Sequence, residues 1–294
     1  MLCAAATVNL AVLQASLSGT SWGVGDFIAG REARRVGAFA VAFYSQLVSG
    51  LALLVLLAGL GYGFTSEAFA IGSLAGVFGG IGILSFYMAM SAGPMSLVTP
   101  VTACGVVVPV IVSFVIGERP GGLAALGLAL AIIGIVLVSR APSGGVAGGA
   151  GVGGLSGRAL GLSLLAALGF GAFFVVMDQG AGGDAASALW ATAGARSGSL
   201  VLLLGTRLAA GRAIGTPQGR LAPIAAAGLF DVSANALYAL AATAGTLAVV
   251  AVLGSLYPVV TVLLARVLLH ERATRVQNLG VVAALGGVAL LAGA

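Results

Sequence analysis

Arg196 and Asp231 carry opposite charges near the middle of two consecutive apolar stretches, 185–207 and 221–244. An ionisable side chain at the centre of a bilayer costs roughly 3 kcal/mol even on lenient insertion scales, so each must face protein or water and usually has a partner. Adjacent antiparallel helices with opposite charges at similar depth are expected to form an ion pair, which lowers the desolvation cost of both. The chemistry such a pair offers is binding. The carboxylate can take a substrate ammonium group or a coupling proton, and the guanidinium can hold that charge at rest or receive a carboxylate. A fixed brace between helices is the structural alternative, and the sequence leaves both open.

Spacing adds neighbours to the pair. Asp231, Asn235 and Tyr238 are separated by four and three residues, and Thr192, Arg196 and Ser199 follow the same rule, so each set shares one helix face. Gln14, Ser18, Trp22 and Asp26 form a third, slightly drifting stripe. Lipid would reject all three stripes, which are therefore expected to converge on an interior cavity formed by the first, third, seventh and eighth spans. Ser and Thr hydroxyls can bond carbonyls of their own helix, so Asp, Asn, Gln and Arg carry more of this argument. Trp22, Tyr87, Trp190, Tyr238 and Tyr257 are candidates to line the pathway or to anchor helices at the interfaces. Asp26 and Asp178 are expected near the ends of their spans, at opposite membrane faces, as gating carboxylates or as solvated helix ends.

The elements that must position these residues are helices in a membrane. Charged residues make up 7% of the 294-residue chain and apolar ones 60%, against roughly 25% charged in a soluble domain. A hydrocarbon core of ~30 Å needs about 20 apolar residues per helix, and ten such spans can be drawn: 8–30, 38–60, 68–91, 94–117, 121–139, 159–180, 185–207, 221–244, 246–269 and 273–293. No basic stretch precedes the first apolar run, so it is expected to remain as a helix. Pro100 and Pro109 in the fourth span and Pro258 in the ninth are expected to bend or open their helices, with Pro109 and Pro258 as candidate gating positions.

The ten spans fall into two repeating halves. Glu118-Arg119 and Glu271-Arg272 lie 153 positions apart, and at that offset Leu126-Gly127, Ala131 and Gly134 fall on Leu279-Gly280, Ala284 and Gly287. Gly93 and Gly245 match at 152, the offset that also pairs Asp26 with Asp178. Five spans per unit make the second copy enter the bilayer from the opposite side, giving an inverted repeat of the kind found in secondary transporters. The expected organisation is an all-α polytopic membrane protein of ten transmembrane helices: one five-helix repeat over 8–139, a linker over 140–158, and a second repeat over 159–293. Eight of the nineteen linker residues are glycine, a flexible composition that predicts two separate five-helix bundles free to move. Glu118-Arg119 and Glu271-Arg272 are expected to cap the helices that follow them.

Orientation follows from arginine, since the chain has no lysine. Connections after odd-numbered spans carry Arg31, Arg34, Arg35, Arg140, Arg158, Arg207, Arg212, Arg220, Arg272 and Arg275, whereas those after even-numbered spans carry Arg119 alone. Basic loops stay cytoplasmic, so both termini are placed on the non-cytoplasmic side.

Trp22-Gly23-Val24-Gly25-Asp26-Phe27, Gly93-Pro94, Gly117-Glu118-Arg119 and His270-Glu271-Arg272, in that order and duplicated, resemble the EamA-like branch of the drug/metabolite transporter superfamily over nearly the whole chain. The resemblance implies ten helices, an internal pseudo-two-fold, and export or exchange of a small metabolite across the inner membrane. Many repeats of that family have Pro about thirteen residues before the Glu; Pro258 fits, but the first copy has Gly105 there, so the fourth helix is expected to bend elsewhere, at Pro109.

Other functions lose ground. The scattered arginines, net charge +5, do not form a nucleic-acid patch. Cys3, Cys104 and the single His270 suggest neither a disulfide framework nor a metal site. No Walker loop, serine elbow or paired carboxylates indicate an enzyme, and no cofactor is expected. The reading is therefore a secondary active transporter working by alternating access on an amino acid or similar metabolite. Efflux of lipophilic cationic drugs is the alternative, favoured if the cavity is mostly aromatic with Asp231 unpaired. A small-molecule substrate, the bilayer and a coupling proton are the expected partners, with a monomer as the working oligomeric state.

Overall fold

The computed structural model of the chain describes residues 2–93, 98, 101–138, 156–217, 219–268 and 275–292. Among them are helices α1 (Leu2–Val36), α2 (Ala38–Leu60), α3 (Ser66–Ala92), a 3₁₀ turn Cys104–Val106 leading into α4 (Val107–Val115), α5 (Gly122–Val138), α6 (Gly157–Ala181), α7 (Ala185–Ala209), α8 (Leu221–Ala242), α9 (Leu247–Gly254), α10 (Tyr257–Leu268) and α11 (Arg275–Ala292). No strand occurs among the described residues. Four helices are long and apolar enough to cross a membrane on their own: α2, α3, α6 and α8. The remaining helices are shorter, interrupted or charge-bearing, as Arg196 and Arg207 make α7.

Local chemistry sets the helix ends. Asp184 caps α7 by accepting the Ser187 N–H at 2.9 Å; that bond, with the Ser187 hydroxyl, holds its carboxyl below the usual carboxylate range. Gly61 ends α2 in the left-handed region, φ 67°, its N–H on the Leu57 carbonyl. The first helix continues six residues past the expected boundary at 30, because Glu32 is buried there against Arg220, which donates Nε to Oε2 at 2.7 Å and Nη2 to Oε1 at 2.6 Å.

The two sequence halves do not form two separate five-helix bundles. Helix α3 packs most extensively on α6 and α7 of the other half, α8 packs on α1 and α2, α4 lies on α6, α9 and α10 lie on α1, and α5 pairs with α11. Exchanging the halves maps this packing onto itself. Two four-span sets result, α1–α2–α8–α9/α10 and α3–α4–α6–α7, with α5–α11 beside them.

Small residues let the halves interleave, since close approach replaces the hydrophobic effect as the force between helices in lipid. A Cβ on Gly72 or Gly76 of α3 would sit 2.0 or 2.1 Å from the Ala191 and Ala195 carbonyl oxygens of α7. Facing them, Gly194 and Gly198 meet the Phe69 and Ser73 carbonyls at 2.1 and 2.0 Å. At the position corresponding to Gly76, Gly228 brings α8 onto α2 at the Ser45 carbonyl, 2.4 Å from its would-be Cβ.

Both proline-bearing spans are broken at matching places. The fourth tightens into the 3₁₀ turn at Cys104–Val106, and the ninth opens at Ser255-Leu256, immediately before Tyr257-Pro258. Pro109 and Pro258 cannot donate to the carbonyls four residues earlier, on Gly105 and Gly254. The fourth span therefore departs from the regular helix upstream of Pro109, where the Val107 N–H turns to the Cys104 and Gly105 carbonyls. Pro100 lies outside the described residues.

Glu118 caps a helix, but not the one that follows it. Its carboxylate accepts the Leu247 N–H at 2.9 Å and the Ala248 N–H at 3.3 Å, closing the N-terminus of α9 in the other half, and also accepts from the Ser113 hydroxyl. Sequence adjacency favoured α5, whereas the interleaved packing brings α9 nearer. His270, Glu271 and Arg272 lie outside the described residues.

Candidate functional site

The expected ion pair exists. Arg196 Nη1 on α7 lies 2.5 Å from Asp231 Oδ2 on α8, with side-chain exposures of 6% and 14%. Asp231 accepts three further hydrogen bonds: from Trp22 Nε1 on α1 at 3.0 Å, from Asn235 Nδ2 at 3.0 Å, and from Gln46 Nε2 on α2 at 2.8 Å. Gln46 Oε1 accepts in turn from Arg196 Nη1 at 2.6 Å and from the Ser199 hydroxyl at 2.9 Å. One network thus ties α1, α2 and α8 of one helix set to α7 of the other.

The network forms part of the wall of a cavity of about 680 Å³, counted to the atom surfaces and including its open mouth. Eight of the ten expected spans contribute: Trp22 and Asp26, Gln46, the Gly76–Gly79–Ile83 face of α3, Thr102 to Val106, the α6 aromatics, Ala195 to Ser199, Asp231 and Asn235, and Ser255 and Tyr257. The cavity is wider in origin than the four spans expected, because both broken segments open onto it. Aromatic rings dominate one side: Trp22, Phe170, Phe173, Phe174 and Tyr257.

Asp26 is placed differently from expectation. With α1 running on to Val36, Asp26 stands ten residues inside the helix end and lines the cavity. Its carboxylate has no hydrogen bond or ion pair among the described residues, in contrast to the four-fold bonded Asp231. Asp178, its counterpart on α6, is half-buried and off the cavity wall. Pro109 and Pro258 are buried beside the two breaks and are not themselves in the lining.

Four expected lining residues stand elsewhere. Tyr238 is fully buried behind Trp22, stacked on Phe174 at 4.8 Å, with its hydroxyl 3.4 Å from the Phe174 carbonyl. Tyr87 is equally buried, packed beside Phe86. Trp190 belongs to a separate cluster with Phe64, edge to face at 4.8 Å, and Phe69. Gln14 is half-buried two turns from Trp22, beside the exposed Leu10, Leu13 and Leu17. Ser18 of the same stripe fixes α1 to α8 through the Ala234 carbonyl at 2.7 Å.

Gln46 is the network member that sequence reasoning missed. The available signal was a lone amide in an uncharged 23-residue helix. Phe173 and Phe174 gave none, since Phe is ordinary in a span. Among the described residues no group of three or more His, Cys, Asp or Glu is placed to hold a metal ion.

The family model of the EamA-like transporter family matches residues 9–140 and again 157–293, so two copies cover nearly the whole length. The chain belongs to the EamA-like transporter family. It is thereby a multi-pass membrane protein of a transporter family rather than an enzyme family, with a drug/metabolite transporter's two-repeat layout. Of the solved structures that match, one described only as the crystal structure of a protein superposes with a TM-score of 0.72 over 95% of each chain. Its 17% identity carries the fold alone. No curated protein matches this EamA-like chain.

Proposed function

We propose that this EamA-like protein is a secondary active transporter of the inner membrane that exports or exchanges a small amine-bearing metabolite, an amino acid or similar, by alternating access. The observation that carries the proposal is the cavity itself, walled by both four-span sets, with a charged network bridging them and beside it a carboxylate unpaired among the described residues. Ten crossings, with both termini on the non-cytoplasmic side, follow from the apolar spans and the arginine distribution. The moving bodies are the two interleaved sets rather than the two sequence halves, and the breaks at Cys104–Val106 and Ser255-Leu256 are the gating elements. Asp231 and Arg196 hold the sets in register, and Asn235, Gln46 and Trp22 fix the carboxylate. A proton is the coupling ion, and a single chain is the working unit.

A second reading, efflux of lipophilic cationic drugs, is favoured by the five aromatic rings in the wall. Counterflow separates these from no transport at all: proteoliposomes preloaded with an unlabelled solute should transiently accumulate its labelled form, across a panel of amino acids, amines and lipophilic cations. Uptake no faster than in protein-free vesicles for the whole panel would remove the proposal.

A further inference from the structure

The charges around the cavity do not balance. Arg196 and Asp231 neutralise each other at 2.5 Å, and the only other carboxylic or basic side chain among the described lining residues is Asp26. A carboxylate facing a chamber walled by Trp22, Phe170, Phe173, Phe174 and glycines, without a bonding partner among the described residues, is costly unless a proton or another cation comes to it. The rings around it can accept positive charge on their faces and bury an apolar body. The same arrangement disfavours an anion. A substrate carboxylate directed at Arg196 would stand beside Asp231, which shares Nη1 of that guanidinium with Gln46 while Nε has no hydrogen-bond partner among the described residues, and would bring a second negative charge with no second positive one.

We infer that Asp26 is the counter-charge for the cargo, and that the cavity selects a monovalent organic cation with an apolar, aromatic body over the corresponding zwitterion, so that within the proposed function it favours an amine over an amino acid. This rests on the transport reading only in placing the cargo in the central cavity, and it moves the ammonium site from Asp231 to Asp26. Tyr257, whose buried hydroxyl has no hydrogen-bond partner among the described residues, belongs to the same cavity lining.

The chain has two tryptophans, Trp22 in the cavity wall and Trp190 in the Phe64–Phe69 cluster. Trp190→Phe therefore leaves one indole fluorophore, at the site. Titrating this protein in nanodiscs with 2-phenylethylamine, phenylalanine and 2-phenylethanol compares a cation, a zwitterion and a neutral molecule on the same ring. The amine should saturate Trp22 fluorescence at a concentration at least ten-fold below either of the others. Asp26→Asn and Asp26→Ser, which break no hydrogen bond among the described residues, should melt like the parent and lose that advantage, whereas Asp26→Glu should keep it. Phenylalanine binding as tightly as the amine, an amine advantage that survives in both neutral variants, or no saturable change with any probe would each overturn the inference. Amine binding that depends on Asp26 without amine counterflow in vesicles would sustain the site and remove the transport reading; counterflow of phenylalanine indifferent to Asp26 would do the reverse.

Discussion

Replacing Asp231 by Asn tests what the charged network does. Either orientation of the new amide spoils two bonds: with its nitrogen in place of Oδ2 it faces the donors Arg196 Nη1 and Gln46 Nε2, and in place of Oδ1 it faces Trp22 Nε1 and Asn235 Nδ2. A buried donor left unmet costs about 1–3 kcal/mol, although hydrogen bonds between membrane helices average nearer about 0.6 kcal/mol. Arg196 weighs more heavily. It is 5% exposed, and its charge would lose its counter-ion; breaking a buried pair in this way costs about 3–5 kcal/mol. We therefore expect Asp231→Asn to lower unfolding free energy by about 3–5 kcal/mol, measured by SDS titration in mixed micelles with circular dichroism. Adding Arg196→Met, which removes the stranded charge, should recover more than about 1 kcal/mol of it. A loss under about 1 kcal/mol in the single variant, with no coupling in the double-mutant cycle, would refute the brace.

Three further outcomes follow from particular contacts. Gly76→Ala or Gly198→Ala drives a methyl to about 2 Å from a facing backbone carbonyl, so α3 and α7 must separate; folded yield in detergent should fall sharply, whereas Gly59→Ala, with open space around it, should express normally. Glu118→Ala should cost about 0.5–2 kcal/mol through the N-terminus of α9, and Glu118→Gln clearly less, as read by the same SDS titration. Arg220 and, less strongly, neighbouring arginines hold the Glu32 carboxyl below its ordinary range against the opposing effect of burial. Its contribution is therefore present above the unfolded-state pKa and disappears as pH falls through the lower folded-state value. Detergent melts of Glu32→Gln should lose part of the acid-side decline seen in the parent, and equal slopes would contradict the pairing.

Much of the architecture was legible because it rests on one-dimensional signals. Apolar runs located the helices closely, and the Arg196–Asp231 pair followed from the cost of burying either charge alone. What escaped was tertiary. Interleaving of the halves depends on Gly72, Gly76, Gly194 and Gly198 meeting carbonyls of other helices, and glycine in a span does not announce its partner. The same interleaving sends Glu118 to α9 and brings Gln46 from α2 into the network. The position of Asp26 within its helix is hidden for a simpler reason: the arginine-rich stretch after residue 30 reads as the end of a span, and the Glu32–Arg220 pair that extends the helix joins residues 188 positions apart. Trp190 shows the converse, an aromatic residue in a span that packs locally on Phe64 and Phe69.

Alternating exposure of the cavity is the central claim, and cysteine labelling tests it without knowledge of the cargo. In a Cys3→Ala, Cys104→Ala background, Phe170→Cys and Ser255→Cys place a thiol in the cavity lining on each of the two helix sets. A membrane-impermeant maleimide applied to right-side-out and to inside-out vesicles should label both positions from both sides. Labelling from one side only, with the thiols fully reactive once the protein is denatured, would contradict the account.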